Sequence, residues 1–118
     1  MKSLRADSRK PTHPGAILRE DILPELPFSQ VELANRLRIS PRLLSDLLHE
    51  RRRVTPDLAI RLARFFATTA NSWLQMQQAV DVWELEHQKP QEYELIQQYV
   101  SPDTGGGRID RPPWSGAF

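Results

Sequence analysis

The chain has 118 residues, enough for one small domain, and its 16 Lys and Arg side chains nearly balance its 15 Asp and Glu side chains. This balance hides an asymmetry that indicates two kinds of partner: residues 1–69 hold 13 basic and 8 acidic side chains (+5), whereas residues 70–118 hold 3 basic and 7 acidic ones (−4). The absence of cysteine excludes disulfides, thiolate zinc sites and cysteine nucleophiles, and the absence of glycine between Gly15 and Gly105 excludes a glycine-rich phosphate loop there.

The two ends of the chain are predicted to be flexible. Residues 1–12 are polar and contain four Lys and Arg side chains, so they are expected to form a basic arm rather than a secretory signal. Residues 101–118 contain three consecutive glycines and Pro112-Pro113, which is typical of a flexible tail. Residues 13–100 between them are expected to fold, and no apolar run approaches the about 18–20 residues that a membrane span needs.

Helix starts along the chain are marked by residues that cap a first turn. Ser29 and Glu32 form a capping box, in which the Ser29 hydroxyl accepts from the Glu32 amide and the Glu32 carboxylate returns to the Ser29 amide. Ser40 and Thr55 each precede a proline at the first helical position, where proline is favoured. Two further starts are predicted at His13-Pro14 and at Thr69.

Apolar side chains recur between these starts at spacings of three and four, the pattern of a helix with one buried face. The first four stripes are Ile17, Leu18 and Ile22; Leu33, Ala34 and Leu37; Leu44, Leu47 and Leu48; and Ala59, Leu62, Ala63 and Phe66. The fifth stripe is Trp73, Met76, Val80 and Trp83. The pattern predicts an all-α fold, a compact bundle of five short helices that ends at Pro90, with one more short helical piece over residues 93–100.

The segment from Ser29 to Thr55 is the most informative about function. A capped helix over residues 29–37, a tight connection and a second capped helix over about 41–49 form the pattern of a helix-turn-helix. In this motif the second helix enters the major groove of DNA, and its N-terminal residues meet base edges. The residues predicted to contact bases are Ser40, Pro41, Arg42, Ser45 and Asp46.

The chemistry of these side chains fits DNA, although each also has a structural explanation. Arg42 can donate two hydrogen bonds to guanine and Asp46 can accept one from cytosine, but Asp46 could instead pair with Arg42 at i,i+4 or repel phosphate. Arg51-Arg52-Arg53 and His49, at the end of the same helix, suit phosphate contacts, or else form a solvated surface. A helix-turn-helix shape alone also occurs in helical bundles that bind no DNA.

Four motifs follow one another along the chain: His13-Pro14-Gly15, Ser29-Gln30, Arg52-Arg53-Val54-Thr55 and Trp73-Leu74. With them, residues 13 to about 83 resemble the HigA-type antitoxins, a branch of the lambda-repressor-like (XRE) helix-turn-helix regulators. The resemblance implies a dimeric repressor that binds operator DNA in its own promoter and neutralises a RelE/HigB-like mRNA-cleaving toxin. It also implies that Gln30 contacts a phosphate.

The chain departs from this family at the ends of two helices. The family commonly has glycine where Arg38 and Glu50 stand. Both positions favour a left-handed residue that closes the helix, where a residue other than glycine costs about 1 kcal/mol, unless the turn takes another shape. Residues beyond about 100 have no counterpart in the family pattern.

The apolar stripe of the last helix has two interpretations. Packing in the core accounts for Trp73, whereas an exposed continuation would mark a protein–protein surface. The predicted dimer interface is therefore the rest of the stripe: Met76, Val80 and Trp83. A dimer is expected because a two-fold dimer presents two recognition helices about 34 Å apart to a palindromic site.

No pattern in the sequence indicates an enzyme. The three histidines are far apart and lack metal-site spacing, and no serine lies in a nucleophile context. We expect no catalytic residue, no metal, no cofactor and no membrane partner, and a cytoplasmic location by default. The alternatives to an antitoxin are a free-standing, phage-like XRE-type repressor without a toxin and a helical adaptor that binds only protein.

Overall fold

The computed structural model describes residues 9–101, so most of the expected basic arm and of the expected tail lies outside the described residues. Every regular element within residues 9–101 is helical, and none of these helices is long and apolar enough to cross a membrane. The chain divides into two compact units, one ending at Gln88 and the other beginning at Lys89.

The described part of the first unit contains five helices, as the apolar spacing predicted. They are α1 Pro14–Ile17, α2 Gln30–Leu37, α3 Pro41–Leu48, α4 Pro56–Phe66 and α5 Ala70–Gln88. Helix α1 continues as a π-helical turn over Leu18–Ile22 and a 3-10 turn over Leu23–Glu25. The all-helical fold with a helix-turn-helix at α2 and α3 is therefore confirmed.

The predicted helix starts are confirmed, because a side chain accepts a first-turn amide hydrogen bond at each of them. The accepting atoms are His13 Nδ1, Ser29 Oγ, Ser40 Oγ, Thr55 Oγ1 and Thr69 Oγ1. The second half of the capping box is wrong: the Glu32 carboxylate accepts from Arg36 Nε at 2.9 Å instead of returning to the Ser29 amide. A charged donor one turn along the helix is a stronger partner than a neutral amide.

Three helices end at a left-handed residue that is not glycine. Arg38 after α2, Glu50 after α3 and Ala67 after α4 have φ values of 60°, 63° and 57°. In each case the following amide donates to a carbonyl five residues earlier, the 6→1 bond of a Schellman end. The left-handed ends expected at Arg38 and Glu50 are confirmed, whereas nothing in the sequence pattern indicated the one at Ala67.

The core of the first unit is apolar and draws on every helix from α2 to α5. Its buried members are Leu18, Leu33, Ala34, Leu37, Leu44, Leu47, Leu48, Val54, Leu58, Ala59, Leu62, Ala63 and Trp73. Trp73 fills the core role predicted for it, and its indole Nε1 donates to Thr68 Oγ1 at 2.8 Å, which satisfies its polar atom.

The described part of the second unit contains one short helix, α6 Pro90–Glu94. The short helical piece predicted over residues 93–100 is therefore placed wrongly, because the proline starts this helix rather than only ending the bundle. Lys89 separates it from α5 with a non-helical backbone of φ −129° and ψ 47°. The large apolar side chains that follow are exposed: Leu95, Ile96, Tyr99 and Val100.

Candidate nucleic-acid interface

The helix-turn-helix leaves one face of α3 open. Helices α2 and α3 are joined by residues 38–40, and α3 buries its three apolar positions Leu44, Leu47 and Leu48. On the other face, Pro41 is exposed and the Arg42 side chain is 87% exposed. Ser45 and Asp46, one turn on, are half-buried. The Ser40 hydroxyl caps the helix by accepting from the Leu43 amide at 3.0 Å.

Helix α1 clamps the C-terminal end of α3. Gly15 lies so close to α3 that a Cβ atom built on it would overlap the carbonyl oxygen of Leu47. Arg19 Nη1 donates to the Leu48 carbonyl at 2.6 Å and lies 3.4 Å from a Glu50 carboxylate oxygen. His13 Nδ1 accepts a hydrogen bond from the Gly15 amide at 2.8 Å, which holds the first turn of α1. Burial lowers the pKa of His13 below its ordinary value. Gly15 and Arg19 therefore hold the C-terminal end of α3 against α1 and its continuation.

Helix α4 fastens the end of α2 in the same way. Arg61 Nη1 donates to the carbonyl of Leu37 at 3.1 Å and to the carbonyl of Arg38 at 3.0 Å, while its Nε donates to Asp57. Arginine side chains thus satisfy carbonyls that both helices of the motif leave open at their C-terminal ends. Sequence reasoning missed Arg19 and Arg61, because contacts over 24 and 29 residues leave no local signal.

The three consecutive arginines have different surroundings. Arg51 donates to Asp46 Oδ1 from Nη2 at 3.0 Å and from Nε at 3.3 Å. Arg53 donates to Asp81 Oδ2 from Nε at 3.0 Å and also from Nη2. Arg52 is exposed and has no ion pair within residues 9–101. Only Arg52 of the run is therefore free of a carboxylate partner in the described structure, and Arg53 would have to leave Asp81 to reach a phosphate.

A buried amide ties this arginine segment to α5. The Gln77 side chain is 2% exposed; its Oε1 accepts from the Val54 amide at 2.8 Å, and its Nε2 donates to Asp81 Oδ1 at 3.0 Å. The Arg53 guanidinium beside Asp81 lowers the pKa of that carboxyl group. Sequence reasoning missed Gln77, although a glutamine in the apolar stripe one turn after Trp73 was an available signal.

The two remaining phosphate-contact predictions fall at opposite places in the motif. Gln30 is the first residue of α2 and is half-buried. His49 is exposed after α3, and its Nδ1 lies 2.8 Å from the Ser45 carbonyl oxygen. Because a carbonyl oxygen only accepts, Nδ1 donates and Nε2 remains available to another partner. In the described part of the chain, no group of three His, Asp or Glu residues could hold a metal ion.

The predicted dimer residues on α5 have unequal exposure. Val80 is 2% exposed in the single chain and offers a partner almost no surface. Met76 is half-buried against the core, and half-buried Trp83 stacks on His87 with ring centroids 3.8 Å apart. The exposed apolar side chains of this helix are Val82, at 53%, and Leu85, at 44%.

Comparisons with known proteins agree with this geometry. Residues 19–73 match the family described as helix-turn-helix. The chain is 39% identical over 92 residues to the uncharacterized HTH-type transcriptional regulator YbaQ of Escherichia coli K12, covering 78% of this chain and 81% of that protein. Several solved structures are similar over nearly their whole length, and two of them represent the group. PA4674 of Pseudomonas aeruginosa in complex with its operator DNA has a TM-score of 0.72 at 32% identity, covering 78% of this chain and 98% of that one.

The second is an addiction module antidote protein of the HigA family from Coxiella burnetii. It has a TM-score of 0.71 at 34% identity and covers 77% of this chain and 100% of that one. These identities and coverages exceed what a shared fold alone would require. The chain belongs to the XRE-type helix-turn-helix family, among the relatives of the HigA-type antitoxins.

Proposed function

We propose that this protein binds operator DNA in its own promoter through α3 and represses transcription there. The observation that carries the proposal is the open N-terminal end of α3, where Arg42 is 87% exposed beside exposed Pro41 while the opposite face of the helix is buried. A helix presented in this way enters the major groove with its first turns against base edges. The operator complex of the similar PA4674 supports the same mode of binding.

The side chains divide into base contacts and phosphate contacts. Arg42 is the proposed reader of guanine, with Pro41 and Ser45 beside it on the same face. The proposed phosphate contacts are Gln30, His49 and Arg52. Arg52 is chosen from the three consecutive arginines because it has no carboxylate partner within residues 9–101. Ser40 and Asp46 border this surface, but the Ser40 hydroxyl serves as a cap and the Asp46 carboxylate holds Arg51.

Gel-shift titrations on the DNA upstream of the gene test this assignment. Arg42→Ala should relax the preference at one base pair by about 1–3 kcal/mol. Arg52→Ala should weaken binding to all sequences and lower the salt slope by about 0.9 per protomer. Arg64→Ala is the matched control: Arg64 is exposed in the last turn of α4 and has no ion pair within residues 9–101. Equal affinities for all three variants and the wild type would contradict the groove assignment.

We propose that the protein acts as a homodimer through the end of α5. Val82 and Leu85 are three residues apart, so they share one face of the helix, and both are exposed in the single chain. Leu85→Glu should shift sedimentation toward the monomer and weaken operator binding. Ile60→Glu places the same charge on a half-exposed apolar residue of α4 and should do neither. A wild-type chain that sediments as a monomer at micromolar concentration, with operator affinity intact, would refute the dimer.

We further propose that the protein is a cytoplasmic antitoxin for a RelE/HigB-like mRNA-cleaving toxin. The similarity to a HigA-family antidote protein supports this proposal. Co-expression with the product of the adjacent gene tests it: the antitoxin should rescue growth and co-purify with that product. Operator binding without rescue would favour a free-standing repressor, and rescue without operator binding would favour a protein-binding adaptor.

A further inference from the structure

We propose that Arg51 is a positioning residue: its guanidinium neutralises Asp46 and thereby leaves Arg42 free to read a base. The inference rests on the proposed function, because it concerns how the same helix distinguishes its operator from other DNA. It assigns Asp46 the role of an internal anion held by Arg51 rather than that of a reader of cytosine.

The first step concerns competition between two arginines for one carboxylate. Arg42 and Asp46 are four residues apart on α3, so their side chains are neighbours, and a hydrogen-bonded ion pair between them would fold Arg42 onto the helix. Arg51 occupies Oδ1 of Asp46 with two N–H groups, at 3.0 and 3.3 Å. Arg42 Nε lies 3.7 Å from Oδ2, a loose ion pair beyond hydrogen-bond distance, and its side chain stays 87% exposed.

The second step concerns how Arg51 reaches Asp46. Glu50, in the left-handed conformation, turns the chain back, so the Arg51 amide donates to the Asp46 carbonyl at 2.8 Å. The backbone thus brings the Arg51 side chain against α3 as part of the Schellman end. Asp46 is only 20% exposed, whereas Arg51 is 60% exposed, so the anion is the covered member of the pair.

The third step concerns the charge that DNA meets. With Arg51 in place, the charges of Asp46 and Arg51 cancel and the positive charge of Arg42 remains on the open face. Without Arg51, the anion has Arg42 as its remaining ion-pair partner among the described residues. Arg42 would then be held against the helix, and the face would carry no net charge toward phosphate.

The test is a double-mutant cycle on operator binding, with the Arg42-dependent base pair first located by Arg42→Ala. Arg51→Ala should reduce discrimination at that base pair about fivefold, and adding Asp46→Asn should restore it to within about twofold of Asp46→Asn alone. Arg52→Ala is the matched control: it removes the same charge without touching Asp46, so it should weaken binding to all sequences and leave the discrimination unchanged, with or without Asp46→Asn. Thermal unfolding of each variant checks the fold, and Arg51→Gln replaces Arg51→Ala if the latter unfolds.

Each other outcome has a separate meaning. Unchanged discrimination in Arg51→Ala, or a defect that Asp46→Asn leaves in place, overturns the inference and makes Arg51 an ordinary surface residue or phosphate contact. Loss of base preference in Asp46→Asn alone overturns it in favour of direct readout by Asp46. If the wild type prefers no sequence, the proposed function itself fails, which is distinct from a selective wild type whose cycle shows no coupling.

Discussion

Replacing Gly15 by alanine should destabilise the protein, although helix propensity predicts the opposite. Alanine is favoured over glycine in a helix by about 0.5–1 kcal/mol, so propensity alone makes Gly15→Ala stabilising. In the structure the new Cβ would overlap the Leu47 carbonyl oxygen and lie 2.9 Å from the carbonyl carbon, closer than real Cβ atoms approach. Both of these atoms are backbone, so α1 or α3 must move, which costs about 3 kcal/mol on the scale of overpacked cores.

The sign of the change in the free energy of unfolding therefore shows whether helix propensity or the close packing at Gly15 dominates. A net loss of about 2 kcal/mol lowers the melting temperature of a domain this size by about 8 °C or more, which calorimetry resolves. Urea unfolding gives the same free energy, and operator affinity should fall with it because α3 loses its support. Ala16→Gly, the reverse change at the next residue of α1, should cost about 1 kcal/mol by propensity. A Gly15→Ala protein as stable as the wild type would refute the close-packing argument.

Three further predictions concern single groups. Ala67→Gly should stabilise the chain by about 0.5–1 kcal/mol, measured by thermal unfolding, because glycine adopts φ 57° without strain. Gln77→Leu should cost about 1–3 kcal/mol in urea unfolding because it leaves the Val54 amide without its acceptor, whereas Gln78→Leu on the exposed side of α5 should cost little. Burial lowers the pKa of His13, so the unfolded chain takes up a proton at a higher pH than the folded chain does. The free energy of unfolding should therefore decline as the pH falls below about 6.5. His13→Asn, which offers an oxygen to the same amide and does not titrate there, should lose that part of the decline; an identical pH profile would contradict it.

The fold could be predicted from the sequence wherever its cause is local. A Ser or Thr before each helix and an apolar side chain every three or four residues placed the starts of α2 to α5 to within one residue. The Glu32 carboxylate was misassigned because the cap and Arg36 compete for it, and a charged donor wins. The short helix at Pro90 was misplaced because proline both ends one helix and starts the next.

The candidate site was less predictable, because the sequence shows which charges exist but not which ones meet. Arg51, Arg52 and Arg53 are equivalent in the sequence, yet one holds Asp46, one is free within residues 9–101 and one holds Asp81, 28 residues away. Val80 fits an exposed stripe by its spacing but is buried in the single chain. Both differences arise from tertiary packing, which helix periodicity does not contain.

The ion pairs in the structure also change how the net charge of +5 over residues 1–69 is interpreted. Of the nine arginines between residues 13 and 69, six form ion pairs with carboxylates within the described structure: Arg19, Arg36, Arg42, Arg51, Arg53 and Arg61. The Arg42 pair is the loosest of them, at 3.7 Å. A phosphate that binds such a cation competes with the carboxylate, so the contact exchanges one ion pair for another rather than adding a new one. Counterion release, and with it the salt dependence of binding, therefore follows the few unpaired cations near α3 rather than the total of 13 basic side chains. The excess of positive charge indicates DNA as the partner, but the carboxylates decide which arginines meet it.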